Sequence, residues 1–261
     1  MAEAFYLGID IGSTASKCVI VDASGEVRGT GLYPSGAGTK GPGAAMDEAL
    51  SKAGIASGDI VRSVATGYGR KLMDWADSQV SELSCHAKGA SRLFEGVRTI
   101  IDIGGQDAKV LRLGPDGKLE NFVMNDKCAA GTGRFLDVMA GVFGIDVSEL
   151  SDYDRRSDAL TSVSSTCTVF AESEVISLVG KGEPRENIAR GVIDSVVARV
   201  CTLVGQVPAA RYHLTGGLCE NDYVRARLEA ELGAPVGSCP DARFAGALGA
   251  AIIAAEMAGE A

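Results

Sequence analysis

The sequence LGIDIGSTASKCVIVDASGEV, residues 7–27, has a second copy later in the chain, IDIGGQDAKVLRLGPDGKL, residues 101–119. The two copies align without a gap, and identical residues occupy matching positions: Asp10 and Asp102, Ile11 and Ile103, Gly12 and Gly104, Lys17 and Lys109, Gly25 and Gly117. Apolar residues alternate with other residues before each glycine turn, a pattern typical of strands. We therefore predict that each copy folds as strand, glycine turn, strand, turn, strand, and that the chain contains two similar halves.

Length and composition indicate an ordinary soluble globular protein. The chain has 261 residues, of which 46% are hydrophobic and 23% charged, so it is too apolar to be disordered. This length suits one large domain or two small ones. The formal net charge of −9 argues against a nucleic-acid partner and against a polybasic membrane-binding surface.

Targeting and cysteine signals favour a cytoplasmic protein with reduced thiols. The N-terminus has no positively charged segment ahead of an apolar one, so no secretory signal is predicted. The longest run of small apolar residues, 245–255, is shorter than the roughly 18 residues of a membrane span. Seven scattered cysteines do not form the pattern of a disulfide framework, which leaves metal binding open.

Helical spacing dominates the sequence outside the two copies. It predicts helices over residues 42–53, 83–94, 134–142, 169–179, 187–205, 222–232 and 242–256, with a short strand over 212–214. No Pro-rich or Ser-rich linker divides the chain. We predict a first half formed by residues 1–96 and 243–261, and a second half formed by residues 97–242.

Three turns of small residues are predicted to bind a nucleotide through backbone N–H groups, because small side chains let the backbone approach phosphate oxygens. The first contains Gly12, Ser13, Thr14, Ala15 and Ser16, the second Gly104, Gly105 and Gln106, and the third Gly216 and Gly217. A single glycine turn is usually only a hairpin turn. Two such turns in matching positions, followed by a third, favour a nucleotide site.

Charged and polar residues beside these turns suit nucleotide chemistry. Lys17 offers a point charge to phosphate, and Asp10 and Asp102, each at a strand end, offer oxygen ligands to Mg2+ through water. Gln106 is a candidate for orienting an attacking water. These turns, in this order, resemble those of the actin, hexokinase and heat-shock-protein-70 superfamily. The resemblance implies an α/β, actin-like ATPase fold with two duplicated ribonuclease-H-like halves around a nucleotide cleft.

Two cysteine motifs are more specific still: MNDKCAAGTGRFLDVMA, which contains Cys128, and SSTCTVFAESEVIS, which contains Cys167. Helical spacing follows both, so each cysteine is predicted at the N-terminus of a helix, the second capped by Ser164, Ser165 or Thr166. Helix N-termini favour anions such as thiolates, the ligands of iron–sulfur clusters. Two thiolates are half of the four cysteine ligands that a 4Fe-4S cluster takes. The alternative interpretation is that each cysteine is a small, buried hydrophobic residue.

Taken together, several motifs resemble the activator, or initiator, of 2-hydroxyacyl-CoA dehydratases, of the component A type in the BadF/BadG/BcrA/BcrD ATPase family. They are LGIDIGSTASKC, ATGYGR, SELSCHAKGAS, IDIGGQDAKV, MNDKCAAGTGRFLDVMA, SSTCTVFAESEVIS and TGG. The resemblance runs nearly end to end. It implies a homodimer that uses ATP/ADP and Mg2+, with one 4Fe-4S cluster per dimer ligated by Cys128 and Cys167 of each chain. It also implies electron transfer to the dehydratase, with a ferredoxin or flavodoxin as donor.

Three other functions stay open at this point. The family resemblance also admits an ATPase subunit of a benzoyl-CoA-reductase-type complex. A small-molecule kinase of the same superfamily would keep both cysteines in its core, and a nucleotide-dependent scaffold would transfer neither phosphate nor electrons.

The remaining conspicuous residues are interpreted as follows. Cys85 and His86 have metal-binding atoms, but adjacent side chains diverge on a helix, so they are interpreted as structural. The roles of Glu172 and Glu174, just after Cys167, stay open between interaction with the helix dipole and coupling of cluster to nucleotide.

Overall fold

The computed structural model describes residues 4–163, 167–207 and 210–259. The three predicted capping residues of the second cysteine motif, Ser164, Ser165 and Thr166, lie outside the described residues. The chain divides into two compact units. Unit 1 contains Met1–Arg98, Leu113–Glu120 and Asp241–Ala261, and unit 2 contains Thr99–Arg112 and Asn121–Pro240.

Strands and helices follow one another in the order that the duplication predicts. Up to residue 98 they are β1 (Phe5–Ile11), β2 (Ser16–Asp22), β3 (Val27–Tyr33), α1 (Gly41–Ala53), β4 (Ile60–Thr66), β5 (Ser78–Gln79) and α2 (Glu82–Leu93). Thereafter they are β6 (Thr99–Ile103), β7 (Ala108–Leu113), β8 (Leu119–Asn125), α3 (Gly133–Phe143), α4 (Leu150–Arg155), α5 (Thr168–Gly180), α6 (Arg185–Val204), β9 (Tyr212–Gly216), α7 (Asp222–Leu232), β10 (Val236–Gly237) and α8 (Ala245–Gly259).

The two sheets have the same topology. The first has the order β3-β2-β1-β4-β5, and the second, taken from its other edge, has the order β8-β7-β6-β9-β10. In the first sheet β1 pairs antiparallel with β2 and parallel with β4, and in the second β6 pairs antiparallel with β7 and parallel with β9. The predicted strand, turn, strand, turn, strand pattern is therefore confirmed in both copies, and each copy is extended by a parallel strand.

Helix α8 is part of the core of unit 1. The helical stretch Pro240–Gly259 is long and apolar enough to cross a membrane by length and composition, although the run of small apolar residues within it, 245–255, is shorter than a membrane span. A helical turn over Pro240–Phe244 precedes α8 and lengthens the helical stretch. However, the buried side chains of Ala247, Ala250 and Ala251 allow α8 to pack closely on α2 and on the first sheet. Half of the stretch is buried in this way, so packing identifies α8 as a core helix.

The core of unit 2 lies between the second sheet and its helices. Buried side chains of β6 and β7 contact those of α3, α5 and α6, with Phe135, Met139 and Val196 among the members that are almost inaccessible to solvent. Helix α4 was not predicted from the sequence; it packs on α6. This core holds α3 and α5 in place. The motif that contains Cys128 runs into α3, and the motif that contains Cys167 runs into α5.

Candidate functional site

The first glycine turn joins β1 to β2 in unit 1. The Gly12 N–H donates to the Ala15 carbonyl at 3.0 Å, and Ser13 and Thr14 are exposed at the tip. Ser16 differs from them, because its buried hydroxyl donates to the Ser35 carbonyl at 2.9 Å. The tip of this turn therefore offers backbone groups and two exposed hydroxyls, whereas the Ser16 side chain holds the turn in place.

Asp10 and Lys17 are cross-strand partners beside the first turn. They pair in the β1–β2 register, and the Lys17 Nζ lies 3.8 Å from the Asp10 Oδ2. Asp10 is buried. Gly67 lies next to its carboxylate with φ +83°, and a Cβ there would collide with the carboxylate and with the Ile11 carbonyl. The carboxylate is thus confined at the strand end, as expected of an oxygen ligand held ready for a hydrated cation.

The second glycine turn, in unit 2, has the same construction but a different charge environment. The Gly104 N–H donates to the Asp107 carbonyl at 2.9 Å. The Lys109 Nζ lies 2.6 Å from the Asp107 Oδ2 and 3.5 Å from the Asp102 Oδ2, and only 3% of the Lys109 side chain is exposed. Lys109 thus neutralises buried carboxylates. Lys17, at the equivalent position in the first copy, is less buried, with 17% of its side chain exposed.

The third glycine turn follows β9 and lies against the end of β6. The Thr215 hydroxyl donates to the Asp102 Oδ1 at 2.9 Å, and the Gly217 N–H donates to the Ile103 carbonyl at 3.0 Å. Gly216 has φ +85°, and a Cβ there would collide with the same carbonyl and with Asp102. The second and third turns are therefore brought together around Asp102.

Unit 1 contains a counterpart of this third turn that the sequence pattern did not predict. The Gly69 N–H donates to the Ile11 carbonyl at 2.9 Å, just as Gly217 donates to Ile103. Thr66 is the parallel partner of Asp10, and Thr215 that of Asp102. The motif ATGYGR, which carries part of the family resemblance, is thus the structural equivalent of TGG. The order of the motifs in the two copies was the sequence signal from which this counterpart could have been predicted.

The structure corrects the predicted position of Cys128. Helix α3 begins at Gly133 with Thr132 as its N-cap, so Cys128 lies in the preceding turn and not at the helix N-terminus. The reason is local: the Asn125 side chain accepts from the Cys128 N–H at 3.3 Å and donates to the carbonyls of Cys128 and Ala130 at 2.8 and 3.0 Å. Backbone groups used in this way form a turn and cannot begin a helix.

The N-terminus of α3 contacts the second glycine turn. The N–H groups of Gly133 and Arg134 donate to the carbonyls of Gly104 and Gly105 at 2.9 and 2.8 Å. Two of the four amides that a helix leaves without an intrahelical partner are thereby satisfied. The turn that carries Cys128 and the predicted phosphate-binding turn are consequently linked by α3.

Cys167 lies at the N-terminus of α5, as predicted, but it is itself the N-cap residue, whereas one of residues 164–166 was predicted to cap the helix; Cys167 is partly exposed. Its carbonyl accepts the first helical hydrogen bond, from the Ala171 N–H at 2.9 Å. Apolar side chains of the same helix are exposed nearby: Val169, Phe170 and Ile176 have relative exposures of 66%, 69% and 54%. The start of α5 thus combines a half-exposed thiol with an apolar surface.

Other cysteines have environments that disfavour metal binding. Burial raises the pKa of the Cys85 and Cys201 thiols to about 11, and it raises the pKa of Cys18 further. Such thiols stay protonated at neutral pH, whereas metals bind the thiolate. Cys18 lies in the core of unit 1, and Cys201 packs against the core of unit 2.

Solved structures of low sequence identity define the class of fold. A ROK family glucokinase from Streptomyces griseus aligns with a TM-score of 0.59 at 15% identity, covering 97% of this chain and 99% of that one. The ethanolamine utilization protein EutJ from Carboxydothermus hydrogenoformans aligns with a TM-score of 0.59 at 16% identity, covering 95% and 89%. The protein has an actin-like ATPase fold with duplicated halves, and the predicted fold class is confirmed.

Sequence relatives define the family within that class. The chain belongs to the BadF/BadG/BcrA/BcrD ATPase family, whose model matches residues 7–254. The (R)-2-hydroxyglutaryl-CoA dehydratase activating ATPase of Acidaminococcus fermentans is 47% identical over 97% of this chain and 98% of its own length. The crystal structure of that dehydratase's component A, from the same organism, has a TM-score of 0.92, with 98% of this chain and 99% of that chain covered.

Two further relatives bear on the nucleotide and on the alternatives. The activator of 2-hydroxyisocaproyl-CoA dehydratase from Clostridium difficile, solved with bound ADPNP, is 46% identical with a TM-score of 0.93, covering 98% of this chain and 96% of that one. A benzoyl-CoA reductase subunit from Thauera aromatica is 30% identical over 94% of this chain and 91% of its own length. The similarity is therefore greater to the dehydratase activators.

Proposed function

We propose that this protein is the ATP-dependent electron-transfer activator of a 2-hydroxyacyl-CoA dehydratase. Two copies of the chain share one 4Fe-4S cluster, and hydrolysis of ATP to ADP and phosphate accompanies the passage of one electron to the dehydratase. The identity of 47% to a dehydratase activating ATPase over nearly the whole chain supports this activity.

The donor set supports a shared cluster. Cys128 and Cys167 are partly exposed in the same unit, unlike Cys18 and Cys85, whose burial keeps them as neutral thiols. One chain supplies two thiolates and a 4Fe-4S cluster takes four, so a second copy completes the set. When bound, the cluster would supply a one-electron centre whose potential depends on its exposure and hydrogen bonds.

The apolar surface at the start of α5 supports the homodimer. Val169, Phe170 and Ile176 are exposed on the helix that begins after Cys167. Exposed apolar side chains grouped in this way are typical of interaction sites. A second copy that brings its own Cys128 and Cys167 to this place would cover these side chains and complete the ligand set at the same time.

On the nucleotide side, residues of the three glycine turns are assigned to ATP. The turns Gly12 to Ser16, Gly104 to Gln106, and Gly216 with Gly217 bind phosphates and the nucleoside, and Lys17 adds a positive charge. The N–H groups of Gly12, Gly104 and Gly217 hold these turns in shape, so the other backbone amides of the turns are the donors to phosphate. Asp10 would hold Mg2+ through water, because its carboxylate is confined at a strand end and its ion pair with Lys17 is long, at 3.8 Å. Asp102 contributes less to Mg2+, since Thr215 and Lys109 already contact its two oxygens. Gln106 orients the attacking water.

One observation carries the coupling of the two sites. The first two amides of α3 donate to the carbonyls of Gly104 and Gly105, and the turn just before α3 contains Cys128. A change in the second glycine turn when phosphate is bound or released would therefore displace the start of α3 and the Cys128 turn with it. Nucleotide shifts such an equilibrium only through contacts that differ between the two states, and these carbonyls belong to the turn proposed to bind phosphate.

The surroundings of the proposed reaction follow from its chemistry. An external one-electron donor, a ferredoxin or flavodoxin, must reload the protein after each transfer. Such a system suits the cytoplasm, where thiols stay reduced. The acyl-CoA pocket belongs to the dehydratase, so this chain does not select the acyl group.

Anaerobic purification followed by iron analysis, visible absorbance and size measurement tests the proposal. We expect a brown dimer with about four irons per dimer, which hydrolyses ATP and activates an added dehydratase in the presence of a reductant. A colourless monomer that phosphorylates an added alcohol would instead identify a kinase. A brown ATPase that supports only benzoyl-CoA reduction would identify the benzoyl-CoA-reductase-type subunit.

Cysteine variants test the ligand assignment. Cys128→Ser and Cys167→Ser should each remove the iron and weaken the dimer, yet retain ATP binding, because neither residue is in a glycine turn. Cys201→Ser is the matched control, since its thiol is protonated and packs against the core of unit 2. Full iron content in either of the first two variants would contradict the assignment.

A further inference from the structure

Asn125 uses its whole side chain on the turn that contains Cys128. The residue is the last of β8 and is partly buried. Its Oδ1 accepts from the Cys128 N–H at 3.3 Å, and its Nδ2 donates to the Cys128 carbonyl at 2.8 Å and to the Ala130 carbonyl at 3.0 Å. One amide thus bonds to three backbone groups of the following five residues.

A second side chain completes the control of this turn. The Thr132 hydroxyl, which is buried, donates to the Ala129 carbonyl at 2.6 Å. The carbonyls of Cys128, Ala129 and Ala130 are therefore all acceptors of side-chain donors. Because the backbone conformation decides which rotamers a side chain can adopt, holding these carbonyls also limits the directions open to the Cys128 Sγ.

Only an amide fits this arrangement at position 125. It must accept one hydrogen bond and donate two, which a carboxylate, a hydroxyl or an apolar side chain of similar size cannot do. Asn121, on the same strand, provides a contrast: it is exposed, and its Oδ1 accepts from the N–H of the next residue, Phe122. The contacts of Asn125 are directed to the cysteine turn, whereas those of Asn121 are local.

We propose that Asn125 is the positioning residue for Cys128: it fixes the turn so that the thiol is presented in one direction. The ligand that the thiol meets there, the shared cluster, rests on the proposed function. The fixed direction of the thiol itself does not, so the two can be tested separately.

The first experiment uses iron-free protein and measures the rate at which iodoacetamide alkylates Cys128, followed by peptide mass spectrometry. Cys167 in the same sample is the internal reference, and Asn121→Leu is the matched control. Asn125→Leu removes all three hydrogen bonds and should accelerate alkylation of Cys128 about tenfold, without changing Cys167. The proposal would be overturned if Cys128 in Asn125→Leu were alkylated within about twofold of the wild-type rate, because loss of the three bonds is expected to give a tenfold change.

Asn125→Ala is the second variant, in case the leucine variant does not fold. It also loses all three hydrogen bonds and adds neither bulk nor charge beside the thiol, so the same acceleration at Cys128 is expected. Thermal unfolding of each variant shows that the chain is folded when alkylation is measured.

The second experiment uses the iron-loaded dimer and measures the rate of iron release to bathophenanthroline together with the electron paramagnetic resonance spectrum of the reduced protein. Both Asn125 variants should release iron faster and broaden the spectrum, and Asn121→Leu should match wild type. If wild-type protein takes up no iron, the proposed function fails, while the alkylation rates still decide the role of Asn125. If wild type holds iron and the Asn125 variants match it in both experiments, only the role of Asn125 fails.

Discussion

The backbone N–H of Gly133 donates to the carbonyl oxygen of Gly104 at 2.9 Å. Gly133 is the first residue of α3, and Gly104 belongs to the second glycine turn. A helix N-terminus commonly binds anions directly. Here two of its amides instead bond to the carbonyls of a turn proposed to bind phosphate, so that the helix follows the position of that turn.

Gly133→Pro should uncouple the nucleotide from the cluster. Proline is favoured at the first position of a helix and lacks the N–H group, and the extended backbone of Thr132 (φ −126°, ψ 171°) suits a residue that precedes proline. We expect ATP to change the rate of iron release to a chelator in wild type, and this ATP effect to disappear in the variant. The measurement is the ratio of the two rates, with and without ATP.

Gly133→Ala is the control for this prediction, because it keeps the N–H group and its Cβ would lie 3.3 Å from the Gly104 oxygen, a contact that small adjustments relieve. It should retain the ATP effect. A proline variant that is folded, holds iron and responds to ATP like wild type would show that the bond does not transmit the change.

Lys17 and Lys109 occupy equivalent positions but should respond differently to substitution. Lys109 is almost completely buried between Asp102 and Asp107, so Lys109→Ala leaves uncompensated buried carboxylates and should lower the free energy of unfolding by about 3 to 5 kcal/mol. Lys17→Ala should affect stability little, because the pair with Asp10 is longer and more exposed, but should impair ATP use without loss of iron.

Urea denaturation and steady-state ATPase kinetics together check these two variants. The double variant Lys109→Ala, Asp107→Asn should be more stable than Lys109→Ala alone, since it also removes one of the two buried carboxylates. Normal ATPase kinetics in Lys17→Ala would remove that lysine from the nucleotide site.

The repeated segment was sufficient to predict the antiparallel part of both sheets. Local alternation and glycine turns define β1, β2 and β3 and their copies. Helical spacing places α7 at the residues that the structure shows. The parallel strands were harder. β4 was missed, and with it the Gly67 turn, because its partner β1 is far away in sequence and parallel pairing has no local turn signal.

The candidate site was predictable where backbone geometry repeats and not where side chains decide. The sequence identifies the lysine match of the two copies, but not that Lys109 is buried between two carboxylates. Helical spacing also does not reveal that Asn125 and Thr132 hold residues 128–130 in a turn. Because this turn was not predicted, Cys128 was placed at the start of the helix. These differences depend on contacts between residues that are close in space and only partly close in sequence.

Gly217→Ala should weaken nucleotide binding without destabilising the protein. A Cβ at Gly217 would meet no atom within 4 Å, so the free energy of unfolding should be unchanged. If a nucleoside packs against this backbone, however, the added methyl group occupies its place and should weaken ATP binding about tenfold, which corresponds to about 1.4 kcal/mol. Calorimetric titration with ATP and thermal unfolding measure the two effects.

Gly216→Ala is the contrasting variant. Its φ of +85° and the collision with the Ile103 carbonyl should cost at least about 1 to 2 kcal/mol of stability. Equal ATP affinity of wild type and Gly217→Ala would show that the nucleoside does not lie against this turn.

The turn between β2 and β3 should make stability depend on acid pH through Asp22. Hydrogen bonds from the Ser24 hydroxyl and the Arg28 guanidinium hold the pKa of Asp22 well below its ordinary value, although burial opposes them. Because the folded-state pKa is depressed, the stabilisation is complete above the unfolded value of about 3.9 and is lost as the pH falls toward the folded value.

Asp22→Asn should therefore lower the free energy of unfolding by about 2 kcal/mol at pH 7, with a difference from wild type that narrows below about pH 4. Urea denaturation at several pH values measures this. Asp116→Asn, in the corresponding turn of the second copy, should differ less from wild type, because Asp116 is exposed, although a hydrogen bond from the Lys118 N–H also lowers its pKa. A difference between wild type and Asp22→Asn that stays constant down to acid pH would mean that the charge of Asp22 does not stabilise the turn.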